Sequence, residues 1–538
     1  MSDQSGLSSS VPERAGPGVE HVIVLVLENR SFDHLLGYLD HPDPTFDGLR
    51  GPGPFVNPGW EHGPAVAASD DGKTVLPIDP DHSHDAVLEQ LGMRDPAIRQ
   101  PDNQGFVRSY ERKGRGNGPN SHAGPVGKAV DLYHRLRPGT RIRGRGPLIM
   151  RCHAPQSVPV LATLAKEFAV CTRWFASVPG ETWPNRNFIH AATSAGETDI
   201  EPGFYYDRTI FELLEDAGKS WHIYHDDTPQ VWVFANLWVP PARHANWFAF
   251  TAFAEHVASG QLPTYSFIEP NQRPPFHLMD DGASTGADVS NSQHPGNNLV
   301  SNAAYDTFPT ESAGDFTRAE GLIASVYEAL RAKPDLFERS ILLITHDEHG
   351  GTYDHRPPPT DVPAPIAHPR TLNRFIRWWY RPVSRPFDFH MLGVRVPAIV
   401  ISPLVERGSI STEARDHASV PSTLRALFAP RADPLTARDA WAPPFHTLLT
   451  REQPRQADLP DLSAHLPPTP RATAPEPPRG RVPEHYRPFT RLASHVGKKL
   501  RETGVPRSQA PLIATRSKKA ALVSQAFKAR AEEARASS

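Results

Sequence analysis

Cysteine is almost missing from this chain of 538 residues; only Cys152 and Cys171 are present. Two cysteines cannot build a disulfide framework. Free cysteine is usually a small buried apolar residue, so both are expected to be buried thiols that say nothing about compartment. An excess of either charge is missing as well. Fifty-seven Lys and Arg stand against 60 Asp and Glu, a net charge of −3 with His neutral. No global field therefore points at nucleic acid, which is not an expected partner, or at an anionic membrane. No stretch approaches the roughly 18 apolar residues of a membrane span. The first residues lack the basic start and apolar core of a signal peptide, so the sequence as given reads as cytoplasmic by default. There is no internal repeat.

What is present fits a globular protein: 38% of residues are hydrophobic and 22% charged. The length suits one large α/β domain with insertions, or two or three smaller ones. Proline is abundant (58 residues) and marks a loop-rich chain, and 26 histidines become informative where they cluster with carboxylates. Residues 1–18 are small, polar and punctuated by Pro and Gly, and are expected to be disordered. A catalytic domain is expected over 19–450, a Pro-rich extended strap over 451–490, and a basic helical tail over 491–538.

Residues 21–27, HVIVLVL, form a continuous apolar run of the kind buried on both faces of a parallel sheet. Similar runs recur as FAVC at 168–171, WHIY at 221–224, TYSFI at 264–268, ILLIT at 341–345 and AIVIS at 398–402. Helical patterns lie between them, at 209–218, stopped by Gly218, and at 320–333. Alternating strands and helices predict an α/β fold with a mostly parallel sheet covered on both faces.

Two of these strands run straight into chemistry. The first ends in Glu28-Asn29-Arg30-Ser31-Phe32-Asp33-His34. The strand at 341–345 ends in His346-Asp347-Glu348-His349-Gly350-Gly351, then Tyr353-Asp354-His355. Ligands of open α/β sheets bind at that carboxyl edge. Burying Glu28, Asp347 and Glu348 together requires a cation or positive partners between them. Asp347 and Glu348 are neighbours, so they can share a cation only where the chain turns, and Gly350-Gly351 permits a turn. An exposed acidic loop is the plainer alternative. The third element is Gly180-Glu181-Thr182-Trp183-Pro184-Asn185-Arg186, at the start of a helix expected over 184–194. Thr182 reads as the helix N-cap, or as a hydroxyl placed where free amides stabilise negative charge.

These segments, in this order, resemble the bacterial phosphoesterase family that contains the phosphatidylcholine-type phospholipases C and the AcpA-type acid phosphatases. The matching strings are ENRSFDH at 28–34, TWPNR at 182–186 and DEHGGTYDH at 347–355. LAKEFAVCTRWF at 164–175, LPTYSFIEP at 262–270, NSQHP at 291–295, VRVPAIVISP at 394–403 and DHASVPSTL at 416–424 flank them. The resemblance covers roughly residues 20–430. It implies an alkaline-phosphatase-like, three-layer α/β/α fold. It also implies Glu28, Asn29, Asp347 and Glu348 as ligands of a divalent cation, with Ca, Mg, Mn and Zn all open. Thr182 would be a nucleophile that becomes phosphorylated, and His294 and His82 would contact phosphate or donate a proton. Asn185, Arg186, Asp354 and His355 would give support, with His84 as a further candidate. Thr172 and His346 stand where the family usually has Asp and Tyr, and the segment between His294 and Glu320 looks lengthened.

The expected substrate is a phosphate ester, either a phospholipid cleaved as by phospholipase C or a phosphomonoester. Aromatic residues at 232–250 and 375–380, with Arg374, Arg377 and Arg381, could serve a headgroup or a transient membrane-surface contact, or merely pack insertions. A sulfatase-like hydrolase should show a C/S-x-P-x-R motif, which TWPNR is not. A catalytically idle binding protein on the same fold would bind no divalent cation. Since the cysteines flank no ligand cluster, a folded Cys152→Ser, Cys171→Ser double variant is expected to keep its phosphoester turnover. Complete loss in that assay would contradict the buried-thiol reading.

Overall fold

The computed structural model describes residues 18–74, 76, 78–95, 97–115, 144–200, 204–225, 229–237, 240–272, 290–295, 316–365 and 387–467. The basic tail, most of the Pro-rich strap and the aromatic run at 375–380 lie outside the described residues.

After His21, every position of the first apolar run is hydrophobic, so this strand cannot keep a wet face. It forms β1 (His21–Leu27), and Val22 to Leu27 are all fully buried. The remaining strands of its sheet are β2 (Ala169–Cys171), β3 (Trp221–His225), β4 (Trp247–Ala249), β5 (Tyr265–Glu269), β6 (Ser340–His346), β7 (Ala398–Ile401) and β8 (Ile410–Ser411). All six apolar runs are thus strands. The sheet order is β8-β2-β7-β6-β1-β5-β3-β4. Pairing is parallel throughout except at β7, which runs against both β6 and β2.

The helices that frame it are α1 (Phe32–Leu36), α2 (His84–Gln90), α3 (Pro159–Glu167), α4 (Thr182–Ala191), α5 (Ile210–Asp216), α6 (Ala252–Ala258), α7 (Thr317–Arg331) and α8 (Ser419–Phe428). They pack in two groups, α7 with α3 and α6, and α8 with α4 and α5. With β1 buried on both faces, this gives the three-layer α/β/α arrangement. Helix α5 starts at a reciprocal cap, in which Thr209 accepts from the Glu212 amide and the Glu212 carboxylate accepts from the Thr209 amide. Gly218, at φ +69°, turns the chain away just beyond it.

The strap begins as packed structure. Tyr327 of α7 donates to the Pro460 carbonyl at 3.0 Å, Leu462 is buried, and the Arg455 guanidinium meets the Glu167 carboxylate at 3.0 Å. The aromatics at 232–250 also pack inward. Phe234 and Trp247 are buried, and Trp232, Phe248 and Phe250 rest half-buried against the core. Trp238 lies outside the described residues.

One core carboxyl generates a prediction. Glu320 of α7 accepts from the amides of Val160 (2.5 Å) and Leu161 (3.2 Å), which open α3. Burial pushes its pKa from 4.5 up to about 8, against those two amides. Between these values the folded state holds a proton that the unfolded chain has released. The stability it contributes is therefore complete below pH 4.5 and lost as pH rises through about 8. Glu320→Gln is expected to flatten urea-measured stability across that window, and an unchanged pH profile would contradict the assignment.

Candidate active site

Parallel neighbours deliver their carboxyl ends to one edge. The register pairs Leu27 of β1 with His346 of β6, so Glu28 and Asp347 leave adjacent strands at the same level. Strand β5, on the other side of β1, ends in Glu269. All of these residues are buried. Asn29 turns at once, at φ +58°, a left-handed conformation that is strained for a residue other than glycine. Its amide donates to Asp347 Oδ1 at 3.0 Å, and its side-chain amide donates to Glu348 Oε1. The Glu348 amide also donates to Asp347 Oδ1, at 2.7 Å. The expected turn is there, with Gly350 at φ +61° and Gly351 at φ +71°. A Cβ on Gly350 would lie 2.3 Å from the Asn29 carbonyl oxygen. The Gly350 amide binds Glu348 Oε2 at 2.7 Å. Asp347 and Glu348 thus both reach Asn29 at this turn.

Helix α4 meets this edge with its first turn. Thr182 is the first helical residue, not the N-cap. Glu181 holds the cap position, with extended backbone angles and no side-chain cap bond. The helix also begins two residues earlier than the sequence pattern suggests and ends at Ala191. The turn is braced by Asn185, whose Oδ1 accepts from the Val178 amide at 3.0 Å and whose Nδ2 reaches the carbonyls of Gly180 and Glu181, both at 3.1 Å. One turn after Thr182, on the same helix face, lies Arg186. It donates to Asp347 Oδ2 at 2.8 Å, to Glu269 Oε1 at 2.7 Å, and to the carbonyls of Val26 and Leu27 at 3.2 and 3.3 Å. Burial opposes its charge, but Asp347, Glu269 and Glu28 hold its pKa above the usual arginine range. Burial, with Glu348 beside it, still raises Asp347 to about 6 despite Arg186. The Thr182 hydroxyl is buried, with no hydrogen-bond partner among the described residues.

The histidines divide. His82 and His294 join the edge, with ring centroids 6.0 Å apart. His82 Nε2 lies 4.0 Å from Glu348 Oε1 and 3.5 Å from Asn29 Nδ2, and His294 Nδ1 lies 3.9 Å from Asp79 Oδ1. Burial disfavours a charge on His82, but Glu348, Asp79 and Glu181 raise its pKa to about 10. His84 instead braces the chain before α4, with its ring at the Pro179 carbonyl (2.5 Å) and its amide on Asp199 (2.7 Å). Asp354 and His355 lie in a separate ion-pair cluster with Asp33 and Arg395.

Some participants were not among the candidates read from the sequence. His417 reaches the Asp347 carbonyl from Nε2 at 2.6 Å, while Trp174 donates to its Nδ1 at 3.3 Å. His349 Nδ1 lies 3.5 Å from Glu348. Glu269, the second partner of Arg186, stands inside LPTYSFIEP, and its position at the end of a buried strand was the available clue. Thr172 and His346, the two departures, are both buried. His346 bonds Gln293 Oε1 at 2.6 Å, one residue before His294.

Two groups invite a metal ion. Among the described residues, Asp33, Asp354 and His355 are the three whose ligand atoms all lie within 4.8 Å of one another. Arg395 already binds both of these carboxylates, at 2.8 and 3.1 Å. Glu28, Asn29, Asp347 and Glu348 offer a different donor set, made of hard oxygens only. The Asn29 Oδ1 atom is buried and has no hydrogen-bond partner among the described residues. Glu28, Asp347 and Glu348 bring three buried carboxylates to this edge, and Arg186 is shared between Asp347 and Glu269. Hard oxygens with unbalanced negative charge fit a hard divalent cation.

The profile described as the Phosphoesterase family matches residues 19–429. The chain is 32% identical to non-specific phospholipase C3 of Arabidopsis thaliana over 488 residues, 86% of this chain and 79% of that protein. It is 26% identical to Phospholipase C A of Mycobacterium tuberculosis over 484 residues, 83% of this chain and 80% of that one. Among solved structures, a phosphonate monoester hydrolase from Silicibacter pomeroyi overlaps 56% of this chain and 73% of its own at 13% identity, with a TM-score of 0.32. That likeness is too slight to argue from.

Removing Arg186 would leave Asp347 and Glu269 buried beside an uncompensated void. Breaking a buried pair in this way costs about 3–5 kcal/mol. Arg186→Met is expected to lose that much in urea unfolding, and a loss below about 1 kcal/mol, the scale of a surface pair, would contradict the bridging role.

Proposed function

The chain belongs to the Phosphoesterase family, hydrolases acting on phosphate esters, and on that premise we propose that it cleaves phospholipid headgroups as a phospholipase C does, through a phosphothreonine on Thr182. The observation that carries this reading is the buried Thr182 hydroxyl, without a hydrogen-bond partner among the described residues, on the helix face of Arg186. A structural threonine at a helix start would bond a nearby amide. A hydroxyl kept for a reaction is left uncommitted. The names of relatives at 26–32% identity supply the phospholipid.

Glu28, Asn29, Asp347 and Glu348 would hold one hard divalent cation. When bound, it supplies Lewis-acid stabilisation of a phosphoryl oxygen and lowers the pKa of a nearby hydroxyl. The chain does the rest. The N-terminal end of α4, whose dipole favours negative charge, and His82 beside Glu348 would oppose the negative charge of the phosphoryl group. Thr182 Oγ1 passes its proton to water and forms a bond to phosphorus as the bond to the leaving alcohol breaks. His294 gives that alcohol oxygen its proton. Water then attacks the phosphothreonine, frees phosphate or its monoester, and restores the hydroxyl. Positioning and charge stabilisation account for most of the rate in phosphoryl transfer.

Thr182→Val keeps the shape and removes the oxygen. It is expected to lose several orders of magnitude in turnover of phosphatidylcholine, while Thr182→Ser keeps part of the rate and rapid quench traps phosphothreonine on the parent. Turnover of folded Thr182→Val within about tenfold of the parent, or 1.4 kcal/mol in barrier, would sink the covalent mechanism. Comparable assays with a generic phosphomonoester decide between the two substrate classes. Faster turnover of the monoester would establish an acid phosphatase instead.

A further inference from the structure

By composition, Asp33, Asp354 and His355 look like a second metal site. The contacts around them indicate otherwise. Arg395, fully buried just ahead of β7, places Nη2 2.8 Å from Asp33 Oδ1 and Nε 3.1 Å from Asp354 Oδ1. Its Nη1 reaches the carbonyls of Asp47 and Thr172, both at 2.9 Å, and the guanidinium lies 4.2 Å from the centre of the Phe32 ring. The Arg395 carbonyl accepts from the Phe32 amide at 3.1 Å. His355 donates from Nδ1 to Asp33 Oδ2 at 2.6 Å and meets Asp47 Oδ1 at 3.2 Å, and Arg356 also binds Asp47. Three carboxylates thus face Arg395, Arg356 and His355. Burial opposes the charge on His355, but Asp33 and Asp47 raise its pKa to about 9. With His355 protonated, the cluster is neutral without a metal ion.

The cluster joins the two loops that carry the candidate cation ligands. The Ser31 amide donates to Thr352 Oγ1 at 2.9 Å, and the Ser31 hydroxyl to the Tyr353 carbonyl at 2.5 Å. The Asp33 amide donates to Asp354 Oδ2 at 3.0 Å, and the His355 amide to Asp33 Oδ2 at 2.7 Å. Glu28 and Asn29 precede the first loop's half of these bonds. Asp347 and Glu348 precede the second.

We propose that Arg395 is a positioning residue, whose guanidinium occupies the place of a second cation and fixes the separation between the loop of Glu28 and Asn29 and the loop of Asp347 and Glu348. The inference rests on the reading that these four residues bind a cation. A site assembled in advance binds without the cost of ordering its ligands, and loss of partners that orient metal ligands typically weakens metal binding by about 10–100-fold. Lysine keeps the charge but cannot fork to Asp33, Asp354 and Asp47 together.

The test is Mn²⁺ titration of the full chain, followed by paramagnetic resonance of the free ion, with thermal melting run alongside. Folded Arg395→Lys is expected to bind Mn²⁺ about 10–100-fold more weakly than the parent, with turnover approaching the parental value at saturating Mn²⁺. Arg438→Lys, which weakens another buried pair with Asp416, should lower the melting temperature and leave Mn²⁺ affinity unchanged. His355→Gln, at the half-buried rim, should show the same weakening on a smaller scale if Arg395→Lys does not fold. Parental Mn²⁺ affinity in folded Arg395→Lys and His355→Gln would overturn the proposal. So would loss of one bound Mn²⁺ in Asp33→Asn, which would make the trio itself an ion site. Unchanged Mn²⁺ binding in Glu348→Gln would instead overturn the cation-site reading on which the proposal stands.

Discussion

A single buried guanidinium ties three strand ends to the helix that carries the proposed nucleophile. Arg186 spans β1 carbonyls, the Glu269 carboxylate of β5 and the Asp347 carboxylate of β6. Three neighbouring strand ends bring electron-rich oxygens to one spot, and a fully buried cluster of that kind is unstable without positive charge. The cation arrives on a helix, so satisfying the strands also docks α4. Docking α4 also fixes Thr182, which lies one turn earlier on the same helix face. The position of the proposed nucleophile is therefore a by-product of solving an electrostatic problem in the core. Arg395 applies the same solution a few residues further along each loop, where Asp33 and Asp354 would otherwise repel each other.

The parts of this arrangement that are local in sequence were legible, and those that are long-range were not. Strands such as 21–27 and 341–345 announce themselves because both faces are buried and nearly every residue is apolar. The glycine pair at 350–351 announces a turn because few residues tolerate positive φ twice in succession. Thr182 was harder to place. Threonine before a proline reads as a cap, yet the cap fell to Glu181, a residue with modest cap preference whose carboxylate is instead drawn to the Ile200 amide. Tertiary context overrode local propensity there. The pairing of Arg186 with Glu269 had no local signature at all, since the partners are 83 residues apart. His417 and Arg395 were quoted within longer strings but could not be assigned, because their partners lie 70 and 362 residues away. Asp354 and His355 were expected near the candidate ligands, and the fold places them in the neighbouring ion-pair cluster.

The division between the two clusters also explains why composition is a poor guide to metal sites in this molecule. The tightest set of acidic and imidazole ligand atoms among the described residues is already neutralised by arginine. The better cation site by donor chemistry is the looser set, in which Asn29 Oδ1 has no hydrogen-bond partner among those residues. Charge balance separates the two: Arg395 binds both carboxylates of the tighter set, and the looser set is the one proposed to hold a cation.

The one reversed strand, β7, has a consequence for how the molecule comes into being. Because β7 runs against its neighbours, the residues that enter it sit at the carboxyl edge of the others, which is how Arg395 reaches Asp33 across 362 positions. His417 follows later still, and closes on the Asp347 carbonyl. During synthesis the chain is made from the amino end at about 5–20 residues per second. The loop of Glu28 and Asn29 must then wait tens of seconds before the residues that brace it exist. Contacts of such separation also slow the search for the native state. Until residue 417 has emerged, the acidic strand ends lack part of the bracing that Arg395 and His417 give them in the finished fold.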